Sequence, residues 1–323
     1  MSVEGHFADR LCAAVTRTGS PVVVGLDPRL DVLPASILAA CRQQYGTTPR
    51  AAAEALWQFN RGIIDAVHDL VPAVKPQLAF YECYGVEGMR AFARTVHYAR
   101  EAGLLVIADA KRNDIGSTAA AYADAFLGVS AMFGQGTPSD FAADALTVTP
   151  FLGWDGIEPF VARAHQYGKG LFVVVKTSNP SSGEVQDALV NGHPLYEQLG
   201  AFVEAWGANN RGACGYSAVG AVVGATFPAQ GRRLRALMPH TLFLVPGYGA
   251  QGATAADVVG CFDMAGQGAL INASRSIIFA YRSLTRHGPE GYAKAAREAT
   301  QTMIQELQHA LLERAKTSSR NVL

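Results

Sequence analysis

The chain has 323 residues, 49% of them hydrophobic, which is material enough for a large buried core. Twenty-seven basic residues balance 27 acidic ones, and zero net charge argues against a protein bound to nucleic acid or to a membrane surface. With no signal-peptide pattern, no apolar run long enough to span a bilayer and five scattered cysteines (Cys12, Cys41, Cys83, Cys214, Cys261) outside any CxxC or Cys/His cluster, the expectation is a cytoplasmic protein with reduced thiols.

In chain order, residues 4–17 predict an extra helix ahead of the first strand. Strands are then predicted at 21–26 (PVVVGL), 73–79 (AVKPQLA), 104–110 (LLVIADA) and 145–149 (ALTVT). Four more follow at 171–177 (LFVVVKT), 218–225 (AVGAVVGA), 241–246 (TLFLVP) and 268–273 (GALINA). Several lack polar alternation, as strands buried on both faces do. A helix over 50–69 places Ala55, Phe59, Ile63 and Val67 four apart, and another over 86–102 stops at Gly103. Residues 289–315 put Tyr292, Ala296, Ala299, Met303, Leu307 and Leu311 on one stripe of a long closing helix, with the terminal TSSRNVL frayed. Two connections are long, 28–49 and 127–144, and the second has the character of a peripheral insertion. Eight strand–helix units with no linker, composition shift or internal repeat predict one α/β domain over residues 1–323, a closed (β/α)8 TIM barrel.

In such a barrel the C-terminal strand ends open into a shared mouth. Here the polar residues gather at those ends: Asp27, Lys75, Asp109 with Lys111, Lys176 to Asn179, Pro246 to Gly249, and Arg275. Asp109 and Lys111 are two apart on one strand and so share a face, while Asp114 lies beyond, where the chain turns away. A DxK pair at a strand end can be no more than a salt bridge. A row of charges in a mouth of apolar strands, with Lys75 as a second cation, is costly unless paired and used. The carboxylates could then repel an anionic group of a substrate.

A second constellation joins VPGYGAQG (245–252) to NASRSI (272–277). Glycine-rich backbone can approach an anion and Arg275 can grip a phosphate in bidentate fashion, at the two loops where this architecture usually binds one. A glycine-rich turn beside a solvated arginine is the plainer alternative for either half alone. The third is KTSNPSSGEVQDALVNGHP (176–194), long enough for a lid, with Ser178 at its root able to hydrogen-bond a polar heterocycle. An ordinary surface excursion accounts equally for most of it. His193 and the other histidines show no metal-ligand spacing, and Asn60 and Arg61 are expected on the surface.

These residues resemble the orotidine 5′-monophosphate decarboxylase family, over about residues 21–278 and in strand order. DAKRNDIGST is similar to that family's DxKxxDI signature, and GLDPR, Lys75, KTSNP, PGYGAQG and SRSI match its other site segments. The resemblance implies cofactor-independent and metal-free loss of CO2 from orotidine 5′-phosphate to give UMP, the last step of pyrimidine nucleotide synthesis. It implies Lys111 as the group that stabilises and protonates C6, with Asp109, Asp114 and Lys75 completing the charge array. Substrate contacts are implied for Asp27 and Lys75 (ribose), Ser178 (pyrimidine), Pro246 and Gln251 (base and phosphate) and Arg275 (phosphate). A homodimer with shared active sites is implied too, Asp114, Ile115 and Thr118 reaching into the partner's mouth.

The chain departs from the family pattern in two places. Gly116–Ser117 replaces a common Pro-Asn before Thr118, and Ser274 replaces a frequent glycine before the arginine, so the backbone approach to phosphate could differ. The insertions at 28–49 and 127–144 suggest a long-chain branch. Three other readings stay open: a Mg2+-dependent sugar-phosphate decarboxylase or aldolase sharing DxKxxD, a Schiff-base aldolase using Lys111, and a non-catalytic nucleotide-binding barrel.

Overall fold

The computed structural model describes residues 5–320, with side chains through residue 317. All eight expected barrel strands form: β1 Val22–Leu26, β2 Ala73–Pro76, β3 Leu105–Arg112, β4 Ala145–Val148, β5 Gly170–Lys176, β6 Ser217–Val223, β7 Thr241–Pro246 and β8 Ala269–Ala273. They pair in parallel in chain order, and the sheet closes where Val22 lies opposite Ile271. One face of each strand meets the helices outside and the other fills the barrel, so neither face can carry the polar alternation of a half-exposed strand.

Counting by twos along the strands separates these faces. Val23, Ala73, Leu105, Ile107, Ala145 and Phe172 belong to the inner cluster, whereas Val22, Val24, Val106, Ala108, Leu171 and Val173 pack outward. Two steps above the inner apolar layer the same alternation delivers Lys75, Asp109 and Thr147 to the mouth.

The expected helices are present as Phe7–Thr18, Pro49–Val67, Gly85–Glu101 and Tyr292–Arg320. The last continues past the point where fraying is expected, and residues 321–323 lie outside the described residues. Its stripe works as expected, with Ala296, Met303 and Leu307 buried and Tyr292 stacked on Phe59 at a centroid distance of 4.9 Å. Asn60 corrects an expectation: it is fully buried rather than on the surface, its Nδ2 donating to the Tyr81 hydroxyl at 2.8 Å while its Oδ1 meets no partner within the protein. The 28–49 connection contains a 3-10 turn, Leu30–Val32, and a helix, Ala35–Tyr45. Within 127–144, Val129–Met132 and Gln135–Pro138 form an antiparallel hairpin that shares no ladder with the barrel. No helix among the described residues is long and apolar enough to cross a membrane.

The N-terminal helix closes the bottom of the barrel. Phe7, Ala8, Leu11 and Ala14 join the inner cluster, and Phe7 meets Phe172 edge-on at 6.1 Å. A Cβ at position 170 would lie 2.2 Å from the Phe7 ring, so Gly170 makes the room. Arg10 on this helix pairs with buried Asp144 at 2.9 Å. With its base plugged, the barrel can present chemistry only at the opposite end. Truncation by Phe7→Ala is expected to cost about 3–5 kcal/mol in chemical denaturation, as loss of a fully buried aromatic does, and a cost under about 1 kcal/mol would refute the plug.

Candidate active site

A cavity of ≈330 Å³ opens at the C-terminal strand ends. Of the residues expected there, Asp27, Lys75, Asp109, Lys111, Ser178, Pro246, Gln251 and Arg275 line it together. Asp114, Ile115 and Thr118 do not; the Asp114 carboxylate accepts the Ile115 N–H at 2.8 Å, and Ile115 is exposed.

The Asp109 carboxylate is the node of the site. Its Oδ2 accepts from Lys75 Nζ at 2.6 Å and from Gln77 Nε2 at 2.9 Å. Its Oδ1 accepts from Lys111 Nζ at 2.6 Å and from Thr147 Oγ1 at 2.9 Å. Burial works to raise the carboxyl, but the charges of Lys75 and Lys111 outweigh it and hold Asp109 far below the ordinary carboxylate range. Lys75 is buried as well; desolvation acts to depress its ammonium, and Asp109 with Asp27 more than reverses that and raises it. The Lys111 side chain is 45% exposed, facing the cavity, against 9% for Asp109 and 5% for Lys75. The fixed members of the array are therefore buried and the reachable one is Lys111.

Backbone geometry sets that difference. The register between β3 and β4 shifts between Ala108 and Arg112, and within the shift Lys111 adopts φ +47°, a left-handed conformation rare for a lysine. Its N–H donates to Thr147 Oγ1 at 3.0 Å, so the threonine holds both the strained backbone and the carboxylate.

The other end of the cavity is built by the loops after β7 and β8. Gly247 has φ +111° and Gly249 φ +70°. Added Cβ atoms there would crowd Ser178 Cβ at 3.1 Å and Ser276 Oγ at 2.8 Å. Tyr248 donates its hydroxyl to Glu306 on the C-terminal helix, tying this loop to the outer layer. Arg275 is exposed at the rim. Ser274, where a glycine is common in the family, fits because residue 25 has no side chain: a Cβ on Gly25 would lie 2.7 Å from Ser274 Cβ. Asp27 Oδ1 and Ser274 Oγ are buried and meet no hydrogen-bond partner within the protein, which leaves both for a polar ligand.

Lys176 corrects an expectation. β5 slips against β6 between Val222 and Val223, so the alternation that would bring Lys176 into the mouth turns it outward toward Asp187, Tyr196 and Phe227. Gln77, Thr147, Thr177, Asn179, Tyr248 and Asn272 also line the cavity. Thr177, Asn179 and Tyr248 belong to stretches expected at the mouth, whereas Gln77, Thr147 and Asn272 carry no charge to mark them and inward strand position is their one signal. Among the described residues, no cluster of three or more His, Cys, Asp or Glu is arranged to hold a metal ion.

Comparison with known proteins agrees with this geometry. The model of the "Orotidine 5′-phosphate decarboxylase / HUMPS" family matches residues 20–285. An orotidine 5′-phosphate decarboxylase of Rhodopirellula baltica is 48% identical over 85% of this chain and 89% of its own. One of Caldicellulosiruptor bescii is 40% identical over 86% and 91%. The structure of Leishmania donovani OMP decarboxylase superposes with a TM-score of 0.72 at 31% identity, covering 95% of this chain and 99% of that one.

Removing the charge at the node by Asp109→Asn strands Lys75 in the barrel, for an expected loss of about 3–5 kcal/mol of stability. A carboxyl depressed on folding contributes stability above its unfolded value of about 3.9 and loses it as pH falls toward the folded value. The difference between wild type and variant in urea titrations should stay flat from pH 8 to about pH 5 and narrow only in acid. A difference that narrows near neutrality contradicts the pairing.

Proposed function

The chain belongs to the orotidine 5′-phosphate decarboxylase family and is a carboxy-lyase that converts orotidine 5′-phosphate to UMP and CO2, and we propose that Lys111, held by Asp109, carries the chemical step. The observation that supports this assignment is the saturated Asp109 carboxylate with one reachable ammonium beside it.

Loss of CO2 from C6 leaves an electron pair on an sp2 carbon with no adjacent sink. The protein must meet that charge with an oriented cation. Lys111 faces the cavity, stabilises the developing carbanion and delivers a proton to C6. Asp109 accepts no proton in this scheme, since four donors occupy its oxygens and hold it ionised. It fixes Lys111 and disfavours the substrate carboxylate placed beside it. Lys75 with Asp27 takes the ribose, Ser178 the pyrimidine, and Arg275 with Pro246 to Gln251 the phosphate. Phosphate binding, remote from C6, supplies the energy that assembles the charged end.

Asp114 enters from a second copy in the same proposal. In its own chain it lies outside the cavity, next to exposed Ile115; its carbonyl and the Leu152 side chain meet at Gly156, and Phe151, Leu152 and Trp154 are exposed in the same stretch of chain. A two-fold axis at this apolar rim sets each Asp114 beside the other mouth. The 127–144 segment is then a peripheral elaboration of a single barrel domain, and the site needs no metal or cofactor.

The direct test is the fall in orotidine 5′-phosphate absorbance with and without EDTA, comparing wild type with two variants. Wild-type turnover is expected unchanged by the chelator. Lys111→Ala should lower kcat by about 10³-fold or more while UMP still binds. Arg275→Ala should chiefly weaken phosphorylated ligands, by about 1.5–3 kcal/mol. Near-native turnover in Lys111→Ala, or activity restored to a chelated enzyme by Mg2+ alone, removes the assignment.

Sharing of sites is tested by mixing two inactive homodimers, Lys111→Ala and Asp114→Ala, after dissociation. Random pairing makes half the dimers hybrids, each with one native site, so about a quarter of the native activity should return. Subunit exchange confirmed by mass spectrometry with no regain of activity means that Asp114 serves its own chain.

A further inference from the structure

β5 ends in a lysine that the charge array does not use. Lys176 is fully buried, its Nζ lies 2.8 Å from Asp187 Oδ1, and the rings of Phe227 and Tyr196 flank it at 4.6 and 5.7 Å. The ammonium is buried while the Asp187 side chain is 39% exposed, so the pair adds little stability by charge attraction alone, and its use is to hold one arrangement of the chain over others. Asp187 lies 11 residues further along the chain, at the end of the short helix Gly183–Gln186, and also accepts from Gln230 Nε2 at 3.1 Å. The pair therefore closes the root of the long excursion after β5 onto the barrel wall.

The neighbouring residue makes a second closure. Gln186 Oε1 accepts the Thr177 N–H at 2.9 Å, and Gln186 Nε2 donates to Thr177 Oγ1 at 2.8 Å. Lys176 and Thr177 are thus both clamped by consecutive residues of the excursion, and the next residue is Ser178. Its carbonyl accepts from Thr226 Oγ1 at 3.0 Å, and its backbone presses on Gly224, where a Cβ would come within 2.7 Å of the Ser178 nitrogen. Ser178 is held from the chain side by the clamp and from β6 by this contact, with its side chain at the cavity.

We propose that Gln186 and Asp187 are positioning residues for recognition of the planar base, acting through Thr177 and Lys176 to set Ser178. Neither touches the cavity. The inference rests on the reading that Ser178 contacts the pyrimidine, and it assigns the selectivity of that contact to a latch outside the cavity. Loss of the latch leaves phosphate and ribose recognition intact and loosens the base end, where small displacements are felt most.

The test is calorimetric titration with UMP and with ribose 5-phosphate, which lacks the base, on Ser178→Ala, Gln186→Ala, Asp187→Asn and the double variant Ser178→Ala/Gln186→Ala. Gln186→Ala and Asp187→Asn are expected to weaken UMP about tenfold, the scale of one hydrogen bond to a charged or oriented group, and to leave ribose 5-phosphate within about twofold. Gln186→Ala keeps the Lys176–Asp187 ion pair and so reports even if Asp187→Asn fails to fold. The double variant should bind UMP no more weakly than Ser178→Ala, because a residue that works through Ser178 has nothing left to position. Multiplicative losses in the double variant, or parallel weakening of both ligands, overturn the proposal. If Ser178→Ala itself leaves UMP binding unchanged, the base contact is wrong, and the latch falls with it by a different route.

Discussion

Everything at the mouth depends on one carboxylate accepting four hydrogen bonds. Asp109 on β3 draws Lys75 and Gln77 from β2 and its sequel, Lys111 from β3, and Thr147 from β4, so three neighbouring strands are joined at their tips through two oxygens. Two ammoniums this close would repel without it, and the carboxylate could not stay ionised at this depth without them. The array is self-consistent only as a set. What it provides is orientation: charges fixed before substrate arrives need no reorganisation when charge develops on the reacting carbon.

The remainder of the fold keeps that set rigid. Below it the barrel is packed solid and plugged by Phe7–Thr18, whose Arg10 reaches Asp144 at the base of β4. Outside, the guanidinium of Arg235 lies 3.7 Å from the Phe243 ring and donates to the carbonyls of Met238, Thr241, Cys261 and Gly268, fastening a helix to the bottoms of β7 and β8. Burial depresses its pKa to about 10, which still leaves it charged at neutral pH. The C-terminal helix supports the glycine-rich loop after β7 through Glu306 and Tyr248. Loops supply the contacts and regular elements supply the stiffness behind them.

Most of the fold was legible because burial on both faces leaves such a strong mark: eight apolar runs in the sequence became eight strands, none displaced by more than a few residues. Asp109 and Lys111 were legible for the same reason, since counting by twos up β3 from Leu105 and Ile107 leads to them. The failures are equally physical. Lys176 obeys the alternation on paper, and a slip of one residue against β6, invisible in composition, turns it out of the mouth. Asn60 lies on a helix whose apolar stripe is regular, yet Tyr81 and Thr95 give its amide partners in the interior, a tertiary pairing that no local pattern announces. The left-handed backbone of Lys111 is hidden as well, because only the bulge beside β4 requires it. Thr147 and Gln77 are uncharged, and their importance arises entirely from the carboxylate they meet.

The two ends of the cavity make opposite demands, and their separation is itself part of the design. Given the proposed roles, a bound carboxylate is unwelcome near Asp109, while the glycine loop, Ser274 and Arg275, which line the same cavity, favour an anion. On the proposed roles, one substrate presents an anionic group to both ends, so attraction at the phosphate offsets repulsion at the carboxylate. Repulsion is relieved as CO2 leaves and attraction is not, which makes the difference fall on the reacting step. Gly25 shows how closely the ends are fitted: its missing side chain admits Ser274, the residue after β8, two residues before Asp27 reaches the field of Lys75. A residue larger than glycine there would push Ser274 away from the charge array, and on the proposed roles the opposition between the two ends depends on a single ligand spanning both.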